Sequence, residues 1–342
     1  MDAAARAERQ TGGWTRRVLR ERLRTIAPFA TLVFLVAFFG AASPSFLSFA
    51  NLQNVLQQIS ITGIMAVGLT FVILCAEIDL SVAAIANVAG VVIAFFTVQD
   101  SSVNIANIPL PGGLAIVLGF AASFLLGSVN AAMTTVVGLP SFITTLAMLE
   151  IGAGICAVLV RGQIAYAVPP LIQTLGSGSI GPVPWIAVMA ALVMLIAHLV
   201  LRYTRFGRYV YMVGGNREAA EYSGVNVRRI VNAVLVISAV CSGFAGMLGV
   251  AHFGSAQQNE FDNYLLDSIA AVVVGGTSLF GGSGGIGETI IGLLVLGVLN
   301  NGLDHVSIDS FLKILIRGLI LLAALVINIY AQRLRESGVR TA

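Results

Sequence analysis

Residues 183–201 read Val-Pro-Trp-Ile-Ala-Val-Met-Ala-Ala-Leu-Val-Met-Leu-Ile-Ala-His-Leu-Val-Leu, and Arg202 follows at once. A single histidine, His198, interrupts an otherwise apolar run. Crossing a bilayer as an α-helix takes about 20 such residues, so the run predicts a membrane span and Arg202 marks its exit. Beyond Arg202 lies a hydrophilic island that closes on Arg228-Arg229, and from 231 to 251 the chain is apolar again. A span, a basic island and a second span together form a membrane pattern.

The rest of the chain agrees. Of 342 residues, 57% are hydrophobic and 10% charged, where an average soluble domain carries roughly 25% charged residues. The mean hydropathy is +0.93. The 37 glycines suit helices that pack closely inside lipid. Soluble α/β folding is a poor reading, and the unbroken apolar runs lack the alternation of an outer-membrane barrel. A net charge of +3 is too small to suggest nucleic acid. Cys75, Cys156 and Cys241 lie inside apolar runs and read as small hydrophobes. Gly40-Ala41-Ala42 resembles a signal cleavage string only faintly, because the charged stretch before it is long.

Further apolar runs lie at about 27–43, 59–77, 80–98, 113–137 and 140–160, then at about 266–280, 286–303 and 311–331. The expected fold is an all-α integral membrane protein of about ten transmembrane helices. All basic residues except Arg161, Lys313 and Arg317 fall in the N-terminal tail (Arg6 to Arg24), the segment from Arg202 to Arg229, or the C-terminal tail (Arg333, Arg335, Arg340). Short basic loops stay cytoplasmic. Both termini and the island are therefore expected inside a bacterial inner membrane, with even numbers of spans between them. The expected organisation is a basic tail at 1–26, one transmembrane domain at 27–331 with a cytoplasmic loop at 202–230, and a tail at 332–342. Gly275-Gly276, Gly281-Gly282 and Gly284-Gly285 break the later spans and point to half-helices or re-entrant pieces.

An internal repeat is also visible. Leu126-Gly127-Ser128-Val129-Asn130 resembles Leu296-Gly297-Val298-Leu299-Asn300, Ser141-Phe142 recurs as Ser310-Phe311, and Asn54-Val55 recurs as Asn226-Val227. The near-constant offset pairs spans 2–5 with spans 7–10 in opposite orientation, an inverted repeat of the kind transporters use. Chance similarity between Gly- and Leu-rich helices is the competing explanation.

Within the island, Gly214 to Arg229, Asn216 is a good N-cap, Glu218 suits the first helical turn and Gly224 is a natural stop. A helix of about two turns over 216–224 is expected, too short to stand alone in water. It either docks on a partner or packs on its own bundle.

Four ordered strings carry a resemblance. The stretch 215–229, Ile78-Asp79-Leu80-Ser81-Val82, Leu139-Pro140-Ser141-Phe142-Ile143-Thr144-Thr145-Leu146, and Gly275-Gly276-Thr277-Ser278-Leu279-Phe280-Gly281-Gly282 are similar to motifs of the ribose/xylose/arabinose-type ABC transporter permeases, the branched carbohydrate-uptake class. The resemblance implies a sugar-importing permease that dimerises around a central path, most simply as a homodimer. It also implies an ATPase subunit that engages the cytoplasmic loop through Asn216, Arg217, Glu218, Ala219, Ala220, Glu221 and Gly224, and a periplasmic solute-binding protein. The chain departs from the family pattern at Glu77 and Ala83, where the family usually has Gly, so the particular sugar stays open.

No P-loop occurs, since the sole lysine is Lys313 in an apolar context. ATP and Mg are therefore expected on the partner ATPase, with no cofactor, metal or catalytic residue on this chain. His198, His252 and His305 are far apart in sequence. Polar residues on apolar spans, namely Asp79, Ser81, Asn87, Asn130, Ser141, Thr144, Thr145 and Asn300, are candidates for a solute path, with helix–helix hydrogen bonding as the competing role. Glu77, Asp79 and Glu150 are intramembrane carboxylates, and they support an alternative reading as an ion-coupled secondary transporter. The island favours the ABC reading, because a secondary transporter has no motor to dock.

Overall fold

The computed structural model describes residues 28–98, 109–166 and 168–339. The N-terminal tail, the segment 99–108 and Arg340 lie outside the described residues. Among the described residues the α-helices are α1 (Pro28–Ala42), α2 (Phe49–Leu74), α3 (Val82–Thr97), α4 (Gly112–Ala132), α5 (Ser141–Val160), α6 (Pro170–Ser177), α7 (Trp185–Tyr203), α8 (Arg205–Gly215), α9 (Arg217–Tyr222), α10 (Val227–Phe253), α11 (Asp262–Gly275), α12 (Ile286–His305) and α13 (Ser310–Val339). Strands β1 (Ser179–Ile180) and β2 (Val183–Pro184) form the antiparallel pair before α7, with Ser179 opposite Pro184.

Each expected apolar run coincides with a helix. Six of these, α2, α4 with its π-turn extension to Val137, α5, α7, α10 and α12, are long and apolar enough to cross a bilayer. α1 and α3 are shorter apolar helices. α11 has 14 residues, which is about 21 Å at 1.5 Å per residue, against roughly 30 Å of hydrocarbon. The chain is an all-α, multi-pass membrane protein.

Several boundaries moved for local reasons. α2 begins ten residues before its apolar run, because Ser48 caps it by accepting the Asn51 N–H at 3.2 Å. Asn54 thus lies inside α2, whereas its repeat counterpart Asn226 is the N-cap of α10, accepting from the Arg229 N–H at 3.0 Å. α11 stops at Gly275 because Gly276 takes φ +113°, a left-handed conformation that favours glycine.

α2, α3, α10 and α12 form the centre. From Ser60 to Leu74 every residue of α2 is buried, and its large side chains Ile64, Met65 and Leu69 join Ile85 and Leu248 among the most enclosed in the molecule. Gly68 permits a close crossing, since a Cβ there would lie 2.7 Å from the Ser238 Cα on α10. The outer helices differ. Val117, Phe124 and Leu125 on α4, Phe142 and Leu146 on α5, and Leu192, Leu195 and Ile196 on α7 are exposed. Apolar faces this extensive are built for lipid or another chain.

Candidate functional site

Three polar regions stand out in the bundle: the arginine-rich end, a break between α2 and α3, and a bowl at the opposite end.

At the arginine-rich end the island folds into two helices, where the sequence suggested one. α8 precedes α9 and was not anticipated. Asn216 caps α9, its Oδ1 accepting the Ala219 N–H at 2.9 Å, and Gly224 closes it with φ +81°. α9 has six residues. Ala220 is buried in the bundle, and Arg217, Glu218, Ala219 and Glu221 are exposed. Arg217 Nη1 donates to Glu77 Oε1 at 2.9 Å, so this helix is tied to the segment that follows α2. Beside that ion pair the backbones meet. The Gly282 N–H donates to the Leu74 carbonyl at 3.0 Å, a Cβ on Gly214 would collide with the same carbonyl, and one on Gly282 would lie 2.7 Å from the Gly215 Cα. Tyr211 of α8 donates to the Gly284 carbonyl at 2.8 Å. The Gly-rich string 281–285 is a close-approach surface joining α8, the end of α2 and the start of α12.

The break between α2 and α3 is non-helical backbone inside the bundle, which is tolerated where protein satisfies its polar groups. Ala76 turns the chain with φ +59°. The Ile78 N–H then donates to Ser141 Oγ at 3.1 Å and the Leu80 N–H to Thr145 Oγ1 at 3.0 Å. Asp79 Oδ1 accepts from the Ser81 N–H at 2.9 Å and from Ser81 Oγ at 2.6 Å, while its Oδ2 accepts from Ser238 Oγ at 2.7 Å. Asn130 Nδ2 donates to Ser81 Oγ at 2.9 Å. Asp79, Ser81, Asn130, Ser141 and Thr145 are thus one buried network, which holds the start of α3 within the bundle. Thr144, on the same helix, bonds back to the Pro140 carbonyl at 3.3 Å.

Asn87 and Asn300 stand apart from that network. Asn87 Nδ2 donates to Asp262 Oδ1 at 2.9 Å and its Oδ1 accepts the Phe261 N–H at 3.0 Å, positioning the start of α11. Asn300 Oδ1 accepts from Arg317 Nε at 3.0 Å, and Arg317 also pairs with Asp267 at 3.5 Å. Glu150 is exposed on α5 and forms no ion pair among the described residues.

At the opposite end, a cavity of about 570 Å³ opens between the ends of α2, α10, α11 and α12. Sequence reading missed its residues. Asn51, Asn54, Gln57 and Gln58 recur at helical spacing on α2, but they precede the apolar run and look like a loop before a span. The Asn51 and Asn301 amides pair reciprocally at 2.7 and 2.9 Å beside the cavity. A second cavity of about 210 Å³ shares Gln58 and Tyr264 with the first and continues to Thr62, Asp267 and Arg317.

Comparison with known proteins follows this geometry. A family model described as the branched-chain amino acid transport system / permease component matches residues 51–325. The ribose import permease protein of Haemophilus influenzae is 35% identical over 88% of this chain and 92% of its own. That of Escherichia coli K12 is 36% identical over 87% and 91%, and the D-allose transport system permease protein of the same strain is 32% identical over 88% and 90%. No solved structure matches. These relatives are transport permeases rather than enzymes, as the missing P-loop led one to expect of this chain. With matches running from α2 into α13 and along nearly the full length of its relatives, the chain belongs to the branched-chain amino acid transport system / permease component family.

Proposed function

We propose that this chain is the membrane-spanning subunit of an ABC importer that moves a sugar or sugar-like polyol. A periplasmic binding protein delivers the solute, and a separate ATPase subunit, holding ATP and Mg, supplies the drive. The permease role follows from family membership. The sugar is carried over from relatives named for ribose, allose and galactose.

The observation that carries the mechanism is the joining of α8 and α9 to the end of α2 and the segment that follows it. A six-residue helix exposed except at Ala220 offers a partner Glu218 and Glu221, and its Arg217–Glu77 pair and the Gly214–Leu74 contact pass a push directly to the broken span. Asn216 and Gly224 fix its ends. The buried polar set Asp79, Ser81, Asn130, Ser141, Thr144 and Thr145 shapes the path by holding the break, and Asn87 and Asn300 hold α11 and α13. The arginine-rich end is the cytoplasmic end of a protein in the bacterial inner membrane, and both termini lie on that side.

Ten spans in two inverted halves fit this scheme. The Gly68–Ser238 contact joins two residues separated by the repeat offset, as a pseudo-twofold axis through that crossing requires. Gly127 on α4 packs against Ala239 of α10, and Gly297 on α12 packs against Ile59 of α2, so each half lays its third helix on the first helix of the other.

A homodimer is supported by Glu150. A mid-span carboxylate facing lipid is costly, so this face of α5 is turned to a second copy and the aqueous path between them. The apolar faces of α4 and α7 meet lipid. Ion-coupled transport is the weaker reading, since Glu77 is committed to Arg217 and Asp79 to Ser81 and Ser238.

The test is a Glu221→Cys cross-link in inside-out vesicles containing the whole transporter. Cross-linking to the ATPase subunit, altered by nucleotide, is expected. Labelling of Glu221→Cys by a bulky maleimide with ATP-driven uptake intact would contradict the docking role.

A further inference from the structure

Where α7 ends, three arginines stand without counter-ions. Arg202 lies in the last turn of α7, and Arg205 and Arg208 lie in the first turns of α8. All three are exposed, and none makes an ion pair or a side-chain hydrogen bond among the described residues. Between Glu150 and Glu218 the chain has no acidic residue. Neither Glu288, beside the Tyr211 hydroxyl where α8 meets α12, nor Glu218 or Glu221 on α9 pairs with them.

The fold turns these arginines outward. Thr204 separates the two helices and caps α8, its Oγ1 accepting the Gly207 N–H at 3.1 Å. A Cβ on Gly207 would collide with the Leu201 carbonyl, so α8 folds back closely on the foot of α7. Gly207, Val210 and Val213 are buried, and Phe206 stacks on Phe71 of α2 with ring centroids 6.1 Å apart. The opposite face of α8 carries Arg205, Arg208, Tyr209 and Met212, all exposed at helical spacing. On α7 an exposed apolar stripe runs from Leu192 through Leu195, Ile196 and Leu199 to Tyr203, beside Arg202. At 1.5 Å per residue this stripe is about 16 Å long, the depth of one leaflet of a hydrocarbon core roughly 30 Å thick.

We propose that this corner is a binding site for an anionic phospholipid of the cytoplasmic leaflet. Arg202, Arg205 and Arg208 take the phosphodiester and the negative headgroup through charge-assisted hydrogen bonds. Tyr203 and Tyr209 stand at headgroup level, where such rings are enriched, and the acyl chains lie along the α7 stripe. A free phosphate, or an acidic surface of the ATPase subunit, would use the arginines and leave the stripe bare. An anionic lipid uses both. The site depends on α7 crossing the bilayer, and is independent of which solute is carried and what drives it.

Native mass spectrometry of the whole transporter, released from nanodiscs of equal phosphatidylglycerol and phosphatidylcholine, reads the lipids retained. A preference for phosphatidylglycerol is expected. It should fall roughly 25-fold in an Arg205→Gln, Arg208→Gln double variant, about fivefold for each arginine near an anionic surface. If that variant fails to assemble, Arg208→Gln alone should lower it about fivefold. Arg228→Gln with Arg229→Gln removes the same charge at the start of α10 and should leave the preference within about twofold. No preference in the wild type, or an equal fall in the two double variants, overturns the site. Displacement of the lipid by inorganic phosphate, but not by chloride at the same ionic strength, overturns it in favour of a free-anion site. A preference that emerges only once the ATPase subunit is stripped away overturns it in favour of that partner.

Discussion

The two ends of α2 are built by opposite rules. At its C-terminal end the helix is locked: the Leu74 carbonyl accepts from Gly282, glycines 214 and 282 bring three backbones together, and Arg217 grips Glu77. At its N-terminal end the same helix lines an open cavity, where Asn51 pairs with Asn301 and the side chains of Asn54, Gln57 and Gln58 make no hydrogen bond among the described residues. A close-packed joint transmits displacement because packed interiors do not deform continuously. An open polar bowl transmits little force. The contrast is between an end packed to transmit displacement and an end left open to solvent.

The strongest way to break this contrast is to loosen the locked end. Gly214→Leu must displace the Leu74 carbonyl, so a loss of about 3 kcal/mol is expected from overpacking, read as a lower thermal midpoint in detergent together with loss of uptake. Asp79→Ala comes next. It removes the acceptor of two serine hydroxyls and one backbone N–H, and should cost about 1–3 kcal/mol; proteolysis between α2 and α3 is the readout. At the open end, Asn51→Leu leaves the Asn301 amide without its partner, for about 1–2 kcal/mol, read as a lower thermal midpoint with coupled ATPase activity kept.

Smaller effects sharpen the contrast. Gly224→Ala places a side chain at φ +81°, a cost of roughly 1 kcal/mol, and should lower transport per ATP hydrolysed while membrane insertion is normal. The Arg217–Glu77 pair is half-exposed on the arginine side, so Glu77→Ala should change stability by about 0–1 kcal/mol at most. It should nevertheless reduce uptake, and the charge-reversed pair Glu77→Arg with Arg217→Glu should recover part of it.

Much of this architecture was legible in the sequence. The apolar runs located the helices, because a span must be continuous to satisfy its backbone in lipid. The caps Asn216 and Gly224 were readable for the same kind of local reason. Three features were not legible. The polar face of Asn54, Gln57 and Gln58 fell below any hydropathy threshold although its helical spacing was present. α8 was invisible because its arginines count as loop. The engagement of Asp79 by Ser238, and of the 78–80 backbone by Ser141 and Thr145, joins residues remote in sequence, which spacing alone cannot reveal. Glu77 was noticed as a departure from the family pattern, but its partner Arg217 emerged only from the fold.

Uptake by sealed proteoliposomes holding this chain and its ATPase is the most direct test of the central claim. Accumulation of a labelled monosaccharide should require both ATP on the cytoplasmic side and the loaded binding protein outside, and should collapse in the Gly214→Leu variant. Accumulation driven by a proton or sodium gradient, with neither ATP nor binding protein present, would contradict it.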